Sequence, residues 1–211
     1  QMCIRDSLGE VKLRITARAK NDLEAKKIIK PVKEKLKKEF SKFIFGEDND
    51  TLPSVLIKEL TERNQTIVFA ESCTGGLLSS SLTSISGSSQ VFLGSIVSYS
   101  NKLKNSLLNI SEEKLTKYGA VSEEVCKAMA INVKEKLGAD WAIAVSGIAG
   151  PNGGSQDKPV GLVYISISGP NNHITNIKKL FNSTRNRKEI QTLSVNVCLN
   201  SLRLILLSNS K

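Results

Sequence analysis

Thr66-Ile-Val-Phe-Ala-Glu-Ser-Cys-Thr-Gly-Gly76 joins an apolar run to a polar stretch that ends in two glycines, and Leu77, Leu78 and Leu82 follow with helical spacing. This pattern is typical of a buried strand, a turn and the start of a helix. It places Ser72 on the turn, where its side chain can meet a ligand carbonyl and free backbone N–H groups can meet the developing oxyanion. The stretch therefore predicts a unit of the kind that carries enzyme sites.

Strands and helices alternate on both sides of this unit. The predicted strands cover residues 66–70, 91–99, 141–147, 160–168 and 174–181. The predicted helices begin at residue 52 and cover residues 75–84, parts of 101–137, and 184–207. The last two strands are joined by Gly169-Pro-Asn-Asn172 and form a predicted hairpin. This order predicts a layered α/β/α domain with a mixed sheet, preceded by a small α+β module.

The chain is predicted to have three parts. Residues 1–7 have the features of neither a secretory signal nor a regular element, and we expect them to be a non-native or truncated start. Residues 8–50 are predicted to form a small βαβ linker module. Residues 51–211 form the larger domain.

The small module is predicted from its apolar alternation. Residues 8–17 alternate as a strand does, Asp22 can cap a helix that runs to about Lys42, and residues 43–45 are interpreted as a second short strand. A module of this size has little core of its own.

The formal charge of +10 is concentrated between residues 20 and 42, which hold nine lysines and four acidic residues. A lysine-rich helix can neutralise nucleic-acid phosphates. It can also be a solvated face, with an apolar stripe on its other side made of Ile28, Ile29, Val32, Leu36 and Phe40. No aromatic residues interleave with the lysines to stack on bases, so the sequence favours the solvated face and nucleic acid is not an expected partner.

Hydropathy and cysteine spacing favour a cytoplasmic protein that binds no metal or cofactor and spans no membrane. The apolar run at 204–207 is far shorter than the roughly 20 residues that a membrane helix needs. Cys73, Cys126 and Cys198 are widely spaced, with no Cys-x-x-Cys pair. Such scattered thiols indicate a reducing compartment and argue against disulfides and a zinc site.

Three loops at the ends of predicted strands carry candidate ligand-binding residues, because ligands collect beyond strand ends in open α/β sheets. They are residues 71–76, residues 99–104, and residues 146–155 with the following Lys158-Pro-Val-Gly161. Glycines in the third loop let backbone N–H groups approach a phosphate. A flexible connector before the hairpin would have the same composition, and the sequence alone leaves both readings open.

The choice of base follows from the single histidine. His173 lies in the predicted hairpin turn, away from the three loops in sequence, so a Ser-His or Cys-His mechanism is not expected. A lysine with a lowered pKa is the usual substitute, and Lys104 and Lys102 are the candidates, with Tyr99 as a possible relay. The hydroxyl of Ser72 could instead only cap the next helix.

Cys73 is a rival nucleophile next to Ser72. Nothing in the sequence supplies it with an imidazole, and a small buried cysteine usually only packs. We therefore expect the serine to be the nucleophile.

Seven short motifs occur in a fixed order along the larger domain. They are Ala70-Glu-Ser-Cys-Thr-Gly-Gly76, Gly87-Ser-Ser89 with Phe92-Leu-Gly94, Tyr99-Ser-Asn101 with Lys104, Gly119-Ala-Val-Ser122, Met129-Ala130, Gly147-Ile-Ala-Gly-Pro151 and Lys158-Pro-Val-Gly161. Together they resemble the C-terminal domain of the competence/damage-inducible protein CinA, which also occurs alone as a nicotinamide-nucleotide amidase. The resemblance covers about residues 52–207. Residues 8–50 resemble the region before this domain in longer members, whose larger domain, similar to molybdopterin-binding domains, we expect this chain to lack.

The resemblance implies hydrolysis of the carboxamide of nicotinamide mononucleotide to nicotinate mononucleotide and ammonia, in pyridine nucleotide salvage. It implies that Ser72 attacks the amide carbon and that Lys104 takes its proton with Tyr99 nearby, while N–H groups of residues 73–75 hold the oxyanion. The substrate-binding residues that it implies are Glu71, Cys73, Thr74, Gly75, Gly76, Ser146, Gly147, Ala149, Gly150, Gly153, Gly154 and Arg185. Arg185 and the glycine-rich loop would bind the ribose and the 5′-phosphate.

Some features keep alternatives open. Glu71 could orient the lysine or the substrate amide, or form a surface ion pair. Ser146 stands where the family usually has Thr, and Glu189 stands where another Arg is common. The main alternative is a non-catalytic nucleotide-binding or regulatory module related to competence. The resemblance also implies a homo-oligomer, with Arg185 reaching a neighbouring site.

Overall fold

The chain divides into two units, Gln1–Thr51 and Leu52–Lys211. The computed structural model describes the backbone of residues 2–208 and the side chains of residues 8–208. The elements of the smaller unit are β1 (Met2–Ser7), β2 (Glu10–Ile15) and α1 (Asp22–Glu39). Those of the larger unit are α2 (Leu52–Glu62), β3 (Ile67–Glu71), α3 (Leu77–Thr83), β4 (Phe92–Val97), α4 (Asn101–Leu108), α5 (Glu112–Tyr118), α6 (Glu123–Leu137), β5 (Trp141–Gly147), β6 (Leu162–Ser168), β7 (Ile174–Leu180) and α7 (Arg187–Ser208).

The strands of the larger unit form one mixed sheet in the order β4-β3-β5-β6-β7. β3 runs parallel to β4 and β5, whereas β6 is antiparallel to both of its neighbours. In the β6–β7 turn, Asn171 and Asn172 have φ of 53° and 57°, the left-handed conformation that a tight hairpin turn requires. The predicted mixed sheet and hairpin are confirmed.

Helices cover both faces of this sheet. Every residue of β3 is buried, as expected for a central parallel strand that is covered on both sides. On one face, side chains of α4, α5 and α6 form a core cluster with Val68, Ala70, Ala142 and Ala144 of the two central strands. On the other face α7 packs against β5 and β6 and against α2 and α3. The predicted α/β/α layering is confirmed.

The smaller unit differs from its prediction at both ends. β1 pairs antiparallel with β2, so the expectation that residues 1–7 contain no regular element is wrong for residues 2–7. The expected strand at 43–45 is also wrong, because the amides of Phe43 and Ile44 donate to the carbonyl of Phe40 in a turn at the end of α1. The order is therefore strand, strand, helix.

Helix α1 begins at a different cap, and its apolar stripe is only partly covered. The Asn21 side chain, rather than that of Asp22, accepts the amide N–H of Glu24 at 3.0 Å. No residue of α1 is buried, and Ile28 and Val32 are exposed. One helix beside a two-stranded sheet has little apolar surface against which to pack.

Helix α7 has the length and composition that would allow it to cross a membrane, with a mean hydropathy of 1.4. In this fold many of its apolar residues are buried within the larger unit, among them Ile190, Val195, Leu199, Leu202 and Leu206, whereas Leu204 and Leu207 are exposed. One face of α7 therefore packs in the core of the larger unit.

Gly161→Ala should destabilise the larger unit. A Cβ at Gly161 would lie 2.2 Å from the carbonyl oxygen of Phe181, and the glycine has φ of +93°. The Phe181 amide donates to the Gly161 carbonyl, so this backbone cannot easily move away. We expect a loss of about 3 kcal/mol or more of unfolding free energy, because the overlap adds to about 1 kcal/mol of left-handed strain.

Gly138→Ala is the matched control for this prediction. Gly138 also has a positive φ, of +66°, but nothing lies within 4 Å of its added Cβ. We expect a loss of about 1 kcal/mol. Denaturant titration measures both variants, and equal losses would contradict the steric argument.

Candidate active site

The Ser72 hydroxyl and the Lys104 amine meet in the interior of the larger unit. Ser72 directly follows β3, and Lys104 lies near the start of α4. Lys104 Nζ lies 2.9 Å from Ser72 Oγ and donates to the Ser98 carbonyl at 2.7 Å. Only 1% of the Lys104 surface is exposed. A serine and a buried lysine are thus brought within hydrogen-bond distance.

The local sequence explains why α4 directs Lys104 inward. Ser100 caps the helix, and its hydroxyl accepts the amide of Leu103 at 3.2 Å. Leu108, one turn after Lys104, is buried in the core cluster, so both side chains lie on the inner face of α4. Lys102 is exposed. Of the two lysines that the sequence offers, the structure brings Lys104 to Ser72.

Burial lowers the pKa of Lys104 below its ordinary value, because the ammonium form loses its hydration. The thiols of Cys73 and Cys126 act in the opposite direction but are smaller causes. Among the described residues, no carboxylate lies within ion-pair distance of the amine. A lysine in such surroundings can accept a proton, as a general base must.

Glu71 caps α3 and makes no contact with Lys104. Its buried carboxylate accepts hydrogen bonds from the Thr74 and Ser79 hydroxyls and from the amides of Gly76, Leu78 and Ser79. A carboxylate is favourable at a helix N-terminus, where N–H groups lack intrahelical acceptors. The surface ion pair considered for Glu71 is wrong because the residue is fully buried. The capping role considered for Ser72 is performed by Glu71.

The turn after Ser72 offers two backbone donors. The amide of Gly75 donates to the Ser72 carbonyl at 3.1 Å, and that of Gly76 donates to Glu71. The amide of Thr74 donates to no acceptor in the described part of the chain, and that of Cys73 interacts there only with its own sulfur. N–H groups beside a nucleophile can bind an oxyanion, and of the predicted donors at 73–75 the amides of Cys73 and Thr74 are the two that donate to no carbonyl or carboxylate in the described residues.

The Cys73 thiol is not activated. Burial raises its pKa to about 12, and burial also raises the pKa of Cys126 to about 12. A nucleophilic cysteine needs a lowered pKa, since the thiolate is the reactive form. The Cys73 side chain is therefore a buried packing group rather than a nucleophile.

The glycine-rich loop after β5 begins in the core. The Ser146 hydroxyl donates to the Ala120 carbonyl at 2.7 Å, and Ala149 is buried. A Cβ at Gly147 would lie 2.7 Å from the Leu162 carbonyl oxygen, so only glycine allows this close approach. Further along, Gly150 is buried, and the exposed stretch 151–157 that follows contains Gly153 and Gly154.

The first turns of α7 connect the three loops. Arg187 donates to the Tyr99 hydroxyl at 2.7 Å and to the Gly150 carbonyl at 2.9 Å. One turn later, Gln191 donates to the Cys73 carbonyl at 2.8 Å. Neither Arg187 nor Gln191 is among the site residues predicted from the sequence, although their four-residue spacing places them on one helix face. Tyr99, the expected relay, is 59% exposed and is held by Arg187 rather than by the Lys104 amine.

Arg185 lies on a basic cavity of about 660 Å³, lined by Pro151, Val160 and residues 183–188. Arg187 and Lys188 add their charges to this lining. Arg185 also lies 3.8 Å from Glu189, whose carboxylate accepts the amide of Asn186. Glu189 thus belongs to the cap of α7, and Ser72 is not among the residues that line the cavity.

His173 lies away from this site. It follows the end of β6 that pairs with the start of β5, whereas Ser72 is beside the end of β5. Its ring contacts Thr175 and stacks edge-on against Trp141. In the described part of the chain, no group of three or more His, Cys, Asp or Glu residues could hold a metal ion.

Two family models match the chain. Residues 49–206 match the CinA C-terminal domain, and residues 5–46 match the KH domain of damage-inducible protein CinA. A CinA-like protein of Prochlorococcus marinus (strain AS9601) is 91% identical over 97% of this chain and 48% of its own length. One of Gloeothece citriformis (strain PCC 7424) is 48% identical over 93% of this chain and 47% of its own length. The chain spans about half the length of the curated relatives it matches.

Solved structures have the same fold. The competence/damage inducible protein CihA from Agrobacterium tumefaciens aligns with a TM-score of 0.72 and 36% identity, over 78% of this chain and 98% of that chain. A CinA superfamily protein from Klebsiella pneumoniae aligns with a TM-score of 0.71 and 29% identity, over 74% of this chain and 96% of that chain.

Glu71→Gln should destabilise the turn that carries Ser72. The amide group introduces two N–H donors where the carboxylate accepts only N–H and O–H groups, so buried donors would face each other. We expect a loss of about 3 kcal/mol of unfolding free energy, and less than about 0.5 kcal/mol for the exposed control Glu62→Gln. Thermal unfolding of both variants measures this, and a loss no larger than that of the control would contradict the capping role.

Proposed function

The chain belongs to the CinA family, and we propose that its larger unit hydrolyses the carboxamide of nicotinamide mononucleotide to nicotinate mononucleotide and ammonia. The observation that carries this proposal is the buried Lys104 Nζ lying 2.9 Å from Ser72 Oγ. An amide needs a strong nucleophile, and a serine beside a lysine of lowered pKa provides one without a metal. The choice of substrate comes from the sequence resemblance.

The reaction begins with proton transfer from Ser72 to Lys104. As the amine takes the proton, Oγ attacks the amide carbon and the carbonyl oxygen becomes an oxyanion. The N–H groups of Cys73 and Thr74 donate to that oxyanion, which lowers the barrier because they are already oriented.

Breakdown of the tetrahedral intermediate releases ammonia. The Lys104 ammonium donates its proton to the leaving nitrogen, the C–N bond breaks, and Ser72 carries the nicotinate acyl group as an ester. A water then attacks the ester carbon while Lys104 takes one of its protons. The bond from the acyl carbon to Oγ breaks, the Lys104 ammonium returns the proton to Ser72 Oγ, and nicotinate mononucleotide leaves. No redox step or metal is needed.

The nucleotide phosphate would bind at the basic cavity beside the glycine-rich loop. Arg185, Arg187 and Lys188 line this cavity. Arginine suits phosphate because its planar group donates two parallel hydrogen bonds. Because Arg187 and Gln191 contact the loops around Ser72, the same helix would link phosphate binding to the reacting amide.

The second candidate is a non-catalytic nucleotide-binding module related to competence. The observation in its favour is that Ser72 does not line the basic cavity. Such a module would bind nicotinamide mononucleotide without releasing ammonia. Calorimetric binding to a protein without turnover would support it over the amidase.

We further propose a cytoplasmic homo-oligomer in pyridine nucleotide salvage, with no membrane or nucleic-acid partner. KH domains grip the nucleic-acid backbone with a Gly-x-x-Gly loop. Gly9 and Gly46 are the only glycines in residues 1–51, so this signature is absent from the smaller unit. Steeply salt-dependent binding of single-stranded nucleic acid would contradict this proposal.

Ser72→Ala and Lys104→Ala should each abolish the release of ammonia from nicotinamide mononucleotide. We expect kcat to fall about 10³-fold or more, because a nucleophile and its base act as one unit. Lys102→Ala, which removes an exposed lysine from the same helix, should retain the parent rate. A coupled ammonia assay measures all three, and a loss below about tenfold for Ser72→Ala would contradict the assigned role.

The pH dependence should identify Lys104 as the base. Only the neutral amine can take the Ser72 proton, and burial lowers the pKa of Lys104. We therefore expect kcat/KM to rise with pH along a limb whose apparent pKa lies below the ordinary lysine value, and to fall as the amine is protonated. A pH–rate profile measures this, and a limb at or above the ordinary lysine value would contradict the assignment.

A further inference from the structure

Ser98 carries a buried hydroxyl that the chemistry above does not use. The residue is 0% exposed, and its Oγ has no hydrogen-bond partner among the described residues. Its backbone is fully used, because its amide donates to the Glu71 carbonyl and its carbonyl accepts from Lys104. A buried hydroxyl without a partner is unfavourable, and such groups are rare in folded proteins, so this one is a candidate for a role beside the lysine.

The sheet register places this residue beside Ser72. Ala70 of β3 pairs with Ile96 of β4, and both pack in the cluster on the α6 face. Two residues after this pair, and immediately after the ends of β3 and β4, are Ser72 and Ser98, whose amide donates to the Glu71 carbonyl as the parallel ladder requires. Because side chains alternate along a strand, both serines face the side on which Lys104 approaches.

The same register extends to β5. Ala70 also pairs with Ala144, and two residues beyond Ala144 is Ser146. The three serines therefore lie side by side at one edge of the sheet, just after β4, just after β3 and near the end of β5. The hydroxyls of Ser72 and Ser146 have partners, in Lys104 and the Ala120 carbonyl, and that of Ser98 has none.

The protonated Lys104 amine has one more N–H donor than it has acceptors. A lysine ammonium has three N–H donors, and Ser72 Oγ and the Ser98 carbonyl account for two acceptors. Once the amine has taken the proton of Ser72, a third N–H must be accepted in a buried site. An unpaired N–H on a buried cation is costly.

We propose that Ser98 Oγ accepts this third N–H and thereby stabilises the protonated form of Lys104 during the reaction. Rotation about the Cα–Cβ bond of Ser98 would turn its hydroxyl toward Nζ. The carbonyl of the same residue already accepts a hydrogen bond from Nζ. Ser98 acts through Lys104 and is a positioning residue. The inference rests on the proposed Ser72–Lys104 chemistry, but its central claim concerns the lysine alone.

Few other groups influence the charge on Lys104. The thiols of Cys73, from the turn, and Cys126, from α6, interact with it. The Glu71 carboxylate is engaged at the start of α3. Loss of one acceptor should therefore be visible in the titration of the amine.

The test is a titration of Lys104 followed by NMR in protein labelled at the lysine Cε carbons, with Lys104→Arg used to assign the signal. We expect Ser98→Ala to lower the pKa of Lys104 by about one unit, because the charged form loses an acceptor. Ser98→Thr keeps the hydroxyl and should restore the parent titration. Ser194→Ala is the matched control, since Ser194 is buried in α7 with its hydroxyl bonded to the Ile190 carbonyl.

Kinetics provide a second measurement. With nicotinamide mononucleotide, Ser98→Ala should lower kcat about tenfold, move the rising limb of the pH profile to lower pH, and change KM less than about twofold. Ser98→Thr should recover kcat. If Ser98→Ala does not fold, Ser98→Cys, which keeps a similar volume with a weaker acceptor, is expected to shift the titration in the same direction.

The outcomes separate the inference from the proposed function. An unchanged or raised pKa of Lys104 in the folded Ser98 variant would overturn the role of Ser98, whatever the turnover. A lowered pKa that Ser98→Thr restores would support it. Absence of ammonia release from the parent protein would count against the amidase and leave the titration to decide on Ser98.

Discussion

The burial of the Lys104 amine without a carboxylate is the constraint on which the site depends. A buried ammonium without a countercharge is unfavourable, so this environment favours the neutral amine. A carboxylate next to the amine would hold it protonated and remove its capacity as a base. The fold avoids this by surrounding Nζ with a serine hydroxyl and a backbone carbonyl, and with thiols whose pKa burial raises.

Strand alternation directs the Glu71 carboxylate away from the Lys104 amine. Glu71 and Ser72 are adjacent in sequence, and adjacent strand residues point to opposite faces. Glu71 therefore lies on the α3 side, where it accepts five hydrogen bonds from the turn and the helix. Ser72 lies on the α4 side with Lys104. One carboxylate fixes the turn, and the neighbouring hydroxyl stays available for chemistry.

The sequence predicted what depends on local periodicity. The layers, the mixed sheet and the hairpin follow from apolar spacing and turn residues. A lysine base is predicted because the single histidine, His173, lies away from the three loops in sequence. The sequence does not show which of Lys102 and Lys104 faces Ser72, because this depends on the orientation of α4. It also does not predict the contacts of Arg187 and Gln191, because these join segments far apart in the chain. The error at residues 43–45 arose because a short apolar run fits a strand and a helix end equally well.

The contacts of α7 indicate how a distant phosphate could assist reaction at the amide. Binding energy from a non-reacting part of a substrate accelerates chemistry only if it positions the reacting group. Arg187 contacts Tyr99 and the glycine-rich loop, and Gln191 holds the carbonyl of Cys73. The Cys73 amide is one of the two candidate oxyanion donors beside Ser72. In the proposed reaction, a ligand that orders the start of α7 would therefore also order Cys73, because Gln191, one turn after Arg187, holds its carbonyl.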